Sequence, residues 1–150
     1  MARVVIHHFR AARESEVDAA RFIRKVLREL EFQARLHVAT GPYTMGDLAR
    51  SIRSHGPFIE ANGRVTGSVG SDLPYASAVE GGSGLWGPRH SKYTIRPVRK
   101  KMLRFFWRKV GHVVVLEKVR HPGQRGKGYL RLAAESVGRR HNMLVIIREL

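Results

Sequence analysis

The 150-residue chain has no cysteine, which excludes disulfide frameworks, thiolate metal sites and cysteine nucleophiles together. Its stability must come from packing or assembly. Acidic residues are scarce: 12 Asp and Glu stand against 28 Lys and Arg, for a formal net charge of +16. An excess of this size implies a polyanion or an acidic protein nearby, because the field of a lone domain repels itself. No apolar run approaches the roughly 18 residues of a membrane span. Met1-Ala2-Arg3-Val4-Val5-Ile6 gives way to His7-His8 after three strongly apolar residues, too few for a secretory leader. The expectation is a chain that stays in the cytoplasm where it is made, with no membrane partner.

A chain of this length buries roughly 70% of its extended surface when it forms one domain, and one domain over residues 1–150 is expected. Val4, Val5 and Ile6 are β-branched, so residues 3–9 read as a short strand. Over 14–39, Val17, Ala20, Ile23, Leu27, Leu30 and Ala34 recur at three- and four-residue steps. That spacing predicts a long amphipathic helix, with Ser15 as N-cap, Asp18 as a first-turn acid and Thr40-Gly41-Pro42 as its stop. A short helix from Gly46-Asp47 carries Leu48, Ala49 and Ile52 inward. Residues 58–61 and 64–70 flank Asn62-Gly63, the signature of a hairpin closed by a two-residue type I′ turn. Residues 74–80 predict one or two helical turns led by Pro74, followed by strands over 93–96, 102–108 and 112–119. A further helix is expected over 126–140, with Leu130, Ala133, Ala134 and Val137 inward and Arg139, Arg140 and His141 near its negative end. A strand over 143–147 closes the chain. The sum is an α+β fold: a mainly antiparallel sheet packed against a long N-terminal helix and a C-terminal helix, with an extended Gly-rich loop.

That loop, Val79 to His90, holds Gly82, Gly84 and Gly87 in the spacing G-x-G-x-x-G. A dinucleotide fingerprint requires a strand before the first glycine and a helix after the last. Here a short helix precedes Gly82 and Pro88 follows Gly87, so no cofactor is expected. Gly123-Gln124-Arg125-Gly126-Lys127-Gly128 resembles the end of a P-loop, but glycine stands where Ser or Thr would hold magnesium. The eight histidines show no i,i+4 pair, no G-x-S-x-G elbow exists, and the few acids outside the helices are not paired for catalysis. No metal, small-molecule substrate or enzymatic activity is expected. The best enzyme alternative is a metal-free ribonuclease using His112 or His121, Tyr129 and arginines.

Positive charge is concentrated from Arg89 to Arg131, where fourteen Lys and Arg face a single acid, Glu117. Arg104-Phe105-Phe106-Trp107-Arg108-Lys109 interleaves aromatics with cations. On a half-buried strand, Leu103, Phe105 and Trp107 share one face and Arg104, Phe106 and Arg108 the other. Solvent, an acidic partner and DNA phosphates all remain possible neighbours of that cationic face.

Four segments together are similar to one family. They are Tyr43-Thr44-Met45-Gly46-Asp47-Leu48-Ala49-Arg50-Ser51-Ile52; Ser71 to Gly84 (SDLPYASAVEGGSG); Tyr93-Thr94-Ile95-Arg96-Pro97 with Lys100; and His121-Pro122-Gly123-Gln124 ahead of Tyr129-Leu130 and Ala133. In this order they resemble the gene-product-ten-like tail-component family of long-tailed double-stranded-DNA bacteriophages, found among neck, head–tail joining and tail-completion proteins. The sequence departs from the family at Met45, which splits Thr44 from Gly46, and at the insertion from Leu85 to Lys92. The resemblance implies a structural virion subunit, assembled in the host cytoplasm as a ring, sixfold in the family, that joins head to tail tube around the DNA channel. It implies contacts with further copies, with the adjacent neck ring and tail-tube proteins, and with DNA in the lumen. Gly82, Gly84, Leu85, Trp86, Gly87 and Pro88 are then the expected ring contacts, as an arm with Trp86 as anchor. Arg89, Lys92, Arg99, Lys100, Lys101, Arg108 and Lys109 are the expected charge contacts to a partner or to DNA. A basic nucleic-acid-binding module is the alternative, with the ribonuclease behind it.

Overall fold

The structure, a computed structural model, describes residues 2–9, 15–40, 46–143 and 146–149. The Gly41-Pro42 stop, the Tyr43–Met45 part of the family resemblance and Leu144-Val145 of the expected last strand lie outside the described residues, as do the side chains of His7 and His8. The chain is α+β and divides into two compact units, one comprising residues 1–80 and 127–150, the other residues 81–126.

The first unit is built on a four-stranded antiparallel sheet. Its strands are β1 (Ala2–Phe9), β2 (Arg53–Ile59), β3 (Arg64–Ser71) and β8 (Ile146–Glu149), in the order β2-β3-β1-β8. The helices α1 (Glu16–Ala39) and α4 (Tyr129–His141) pack against each other and against the sheet, α1 on β2 and β3, α4 on β1. Two short helices, α2 (Gly46–Ser51) and α3 (Ala76–Gly81), complete the unit.

Helix α1 starts where its cap directs: Ser15 is extended, and its hydroxyl accepts the Asp18 N–H at 3.1 Å. Seven of its residues are buried, Ala19, Ile23, Val26, Leu27, Leu30, Ala34 and Val38. Val17, expected on this stripe, is instead 65% exposed, because the buried face starts two residues later, at Ala19. The strands supply the facing surface by alternation: Ala2, Val4 and Ile6 from β1 and Val65 and Val69 from β3. Between those valines, a Cβ at Gly67 would lie 2.5 Å from Leu27 Cδ1, so glycine lets α1 sit close on the sheet. From α4, Leu130, Ala133, Ala134 and Val137 turn inward as expected, together with Tyr129. Each large apolar side chain buried here contributes about 2 kcal/mol.

Three local expectations need correction. The β2–β3 hairpin has no two-residue type I′ turn. Asn62 keeps a negative φ, and Gly63 alone in the turn has a positive one, +77°. Glu60 and Arg64 close a three-residue loop, the Glu60 N–H reaching Arg64 O at 2.8 Å and the Gly63 N–H reaching Glu60 O at 2.9 Å. Asn62 stabilises that loop by accepting the Arg64 N–H at 2.9 Å. Helix α4 begins at Tyr129 rather than at residue 126, because Gly128 takes the N-cap position in a left-handed conformation. Pro74 lies in the turn before α3, two residues short of the first helical position.

The second unit contains two separate two-stranded ladders. One pairs β4 (Tyr93–Ile95) with β7 (Val119–His121); the other pairs β5 (Leu103–Trp107) with β6 (His112–Leu116). The single strand expected over 112–119 is therefore two strands. The chain breaks at Glu117-Lys118 and changes partner, from β5 to β4.

Candidate interaction surface

The Gly-rich segment that opens the second unit is a loop with a tied base. Ser83 N–H donates to Gln124 O at 2.9 Å and Leu85 N–H to Pro122 O at 2.8 Å, while Gly82 bridges Arg125. The approach is so close that a Cβ on Gly84 would stand 2.2 Å from Pro122 O, and one on Gly123 would stand 1.9 Å from Ser83 O, both at positive φ. The glycines thus permit backbone-to-backbone contact. After them comes a single 3-10 turn, Gly84–Trp86, and no α-helix that would face a pyrophosphate. Gly82 and Gly87 are buried; Leu85, Trp86 and Pro88 face solvent at the outer end.

The end of the P-loop-like stretch, Lys127-Gly128, has a different use, within the first unit. Gly128 offers no capping side chain to α4. Glu80 provides it from α3: its carboxylate accepts Leu130 N–H at 2.8 Å and Arg131 N–H at 3.0 Å. An internal carboxylate thus occupies the place a phosphate would need. Beside it Tyr129 is fully buried and its hydroxyl has no hydrogen-bond partner among the described residues. Burial first, then the Glu80 charge, pushes the phenol well above its ordinary pKa. Of the residues named for the ribonuclease alternative, Tyr129 is therefore a core side chain of the first unit. His112 and His121 stand on different ladders of the second, opposite Trp107 and Tyr93 respectively. The His121 and Tyr93 rings lie 5.4 Å apart, and His121 Nδ1 accepts the Gly123 N–H.

The segments that carry the family resemblance have structural roles. Leu48 and Ile52 are fully buried, and the Ser51 hydroxyl donates to Leu48 O at 2.8 Å and lies 2.7 Å from the Ser71 hydroxyl. Ala76 and Val79 are buried ahead of the Glu80 cap.

The second unit has an unusual surface. None of its apolar side chains is buried; among the described residues, the buried hydrophobic core belongs to residues 2–79 and 129–137. Among the described residues, eleven of the eighteen exposed large hydrophobics are in it. On the β5–β6 ribbon, Leu103 and Phe105 are half-covered on one face, whereas Trp107, expected to share that cover, is exposed. On the other face Phe106 lies opposite Val113, beside the Arg104–Val115 pair; the three apolar side chains are 60%, 45% and 52% exposed. Sequence reading placed the Arg104 and Phe106 face correctly but missed Val113 and Val115. Their signal was present: three consecutive valines, Val113 to Val115, followed by Leu116, with no polar residue among the four.

All twelve Lys and Arg of this unit are exposed, against the one acid, Glu117. Of the expected charge contacts, Arg89, Lys92, Arg99, Lys100 and Lys101 lie in loops, and Arg108 and Lys109 in the turn between β5 and β6. Most acids of the first unit are already engaged within it. Asp18, Glu29, Glu31, Asp47, Glu60 and Asp72 are ion-paired within it, and Glu80 is held by α4. Among the described residues, no group of three His, Asp or Glu side chains is placed to hold a metal ion, and no helix is long and apolar enough to cross a membrane.

No family model, no curated protein and no solved structure matches the chain.

Proposed function

We propose that this chain is a structural ring subunit of the neck of a long-tailed bacteriophage, joining head to tail tube around the DNA channel, without catalysis. The observation that carries the reading is the second unit: residues 81–126 bury no apolar side chain yet expose eleven large ones. Monomeric proteins rarely leave contiguous apolar surface uncovered, and a heterologous interface around a closed ring covers such patches with the next copy or the next ring. Leu85, Trp86 and Pro88 at the outer end of the glycine loop, and Phe106, Val113 and Val115 on the ribbon, are the proposed contacts. The sequence resemblance supplies the neck, the sixfold ring and the virion location; the first unit supplies the hydrophobic core.

The test is the particle mass of the purified chain by native mass spectrometry, together with immunolabelling of phage particles. The expected result is a closed oligomer near six times 17.0 kDa and label at the head–tail junction. A monomer at tens of micromolar, absent from particles, overturns the reading. A basic nucleic-acid-binding module draws support from the same cationic unit, and it is the reading that a DNA-binding monomer would leave standing.

A further inference from the structure

We infer that the second unit binds the phosphate backbone of duplex DNA, independent of base sequence, through its loop and ribbon cations. The inference deepens the ring reading, on which it rests for the presence of DNA beside the chain; the choice of partner rests on charge. A neighbouring copy cannot neutralise these cations. Each copy carries +16, and Asp18, Glu29, Glu31, Asp47, Glu60, Asp72 and Glu80 of its first unit are already engaged by its own side chains or by the start of α4, which leaves far fewer acids than cations. The compensating negative charge must come from outside the oligomer.

Two features favour nucleic acid over an acidic protein. Five of the unit's twelve cations are lysines, a residue depleted in the cores of protein interfaces and common on phosphates. The cations are also spread along the whole unit, from Arg89 to Arg125, all exposed, which suits a line of charge with one phosphate per roughly 1.7 Å better than a compact acidic patch. The densest group is Arg96, Arg99, Lys100 and Lys101, in the irregular segment between β4 and β5. None of these four side chains has a hydrogen bond or ion pair among the described residues.

The experiment measures binding of the full chain to a fluorescein-labelled 24-base-pair duplex by anisotropy, from 50 to 200 mM NaCl, with particle mass recorded on the same preparation. The expected loss of affinity across that range is about 10³-fold, as for roughly six phosphate contacts. R96A/R99A/K100A/K101A should weaken binding about tenfold or more at 100 mM NaCl and lower the salt slope by about three. R24A/K25A/R28A, which removes exposed cations from α1 instead, should change binding less than about threefold. R104A/K109A/K118A serves as a second variant within the unit and should behave like the first. Urea midpoints equal to wild type certify that each variant is folded.

Binding that is absent at 50 mM NaCl, or that falls equally for the α1 variant, overturns the inference. So does poly-L-glutamate competing, charge for charge, better than unlabelled duplex, which would assign the surface to an acidic protein. A ring that forms without DNA binding removes this inference alone. DNA binding by a monomer removes the ring reading alone.

Discussion

Glu29, on α1, accepts a hydrogen bond from His141 Nε2 at 2.7 Å and is ion-paired with Arg140, both on α4. The Phe22 ring packs edge-on to His141 at 5.7 Å. The His141 hydrogen bond, followed by the Arg140 charge, holds the carboxyl below its ordinary value of 4.5 against the opposing effect of burial. A carboxylate whose pKa is lower folded than unfolded stabilises the fold fully above the unfolded value and loses that contribution as pH falls through the folded one. Glu29→Gln should therefore lower stability by about 1 kcal/mol at neutral pH. The gap between variant and wild type should close as pH falls below 4.5. Urea titrations at pH 7, 5 and 3 measure it, and a gap that stays constant to pH 3 would mean that the charge on Glu29 contributes nothing.

Among the elements, α4 depends most on a distant residue. Its N-terminus follows a left-handed glycine with no capping side chain, so the first-turn amides of Leu130 and Arg131 rely on Glu80, about fifty positions earlier in the chain. Both amides lie at a core boundary where water is a poor substitute, since Leu130 and Glu80 are buried. Glu80→Ala should cost about 2–3 kcal/mol, the sum of a lost cap and a stranded donor; Glu80→Gln, which keeps an acceptor, should cost about half as much. Chemical denaturation gives the two values. Amide exchange should localise the damage to residues 129–133, and exchange raised uniformly over the first unit would refute the capping account. Because α4 lies against α1 and β1, this cap helps hold together the helix layer on which the first unit rests.

For the whole molecule, the two units divide labour between stability and contact. Among the described residues, the first contains every residue of the hydrophobic core; the second contains eleven of the eighteen exposed large hydrophobics and has all of its own cations in contact with solvent. Substituting the ribbon's outer face should then separate the two properties. F106S/V113S/V115S is expected to leave the urea midpoint of the core within about 0.5 kcal/mol, as surface changes do. The same variant should shift particle mass toward the monomer by weakening the proposed interface. Equal oligomer mass in variant and wild type would clear this face of any part in assembly.

Local pattern alone specified much of the first unit. The three- and four-step spacing of Ile23, Leu27, Leu30 and Ala34 specified α1, Ser15 its start, and Leu130, Ala133, Ala134 and Val137 the buried face of α4, because amphipathic period and capping chemistry act within a few residues. The cationic bias of residues 89–131 was equally visible, since charge can be counted without coordinates. Tertiary structure decided the rest. Glu80 became a cap only when α3 met α4, Tyr129 became core rather than chemistry, and the run 112–119 was split between two partners. Above all, only the folded chain determined that no apolar side chain of 81–126 is buried within that unit, because burial is a property of what packs together in three dimensions and not of the local pattern.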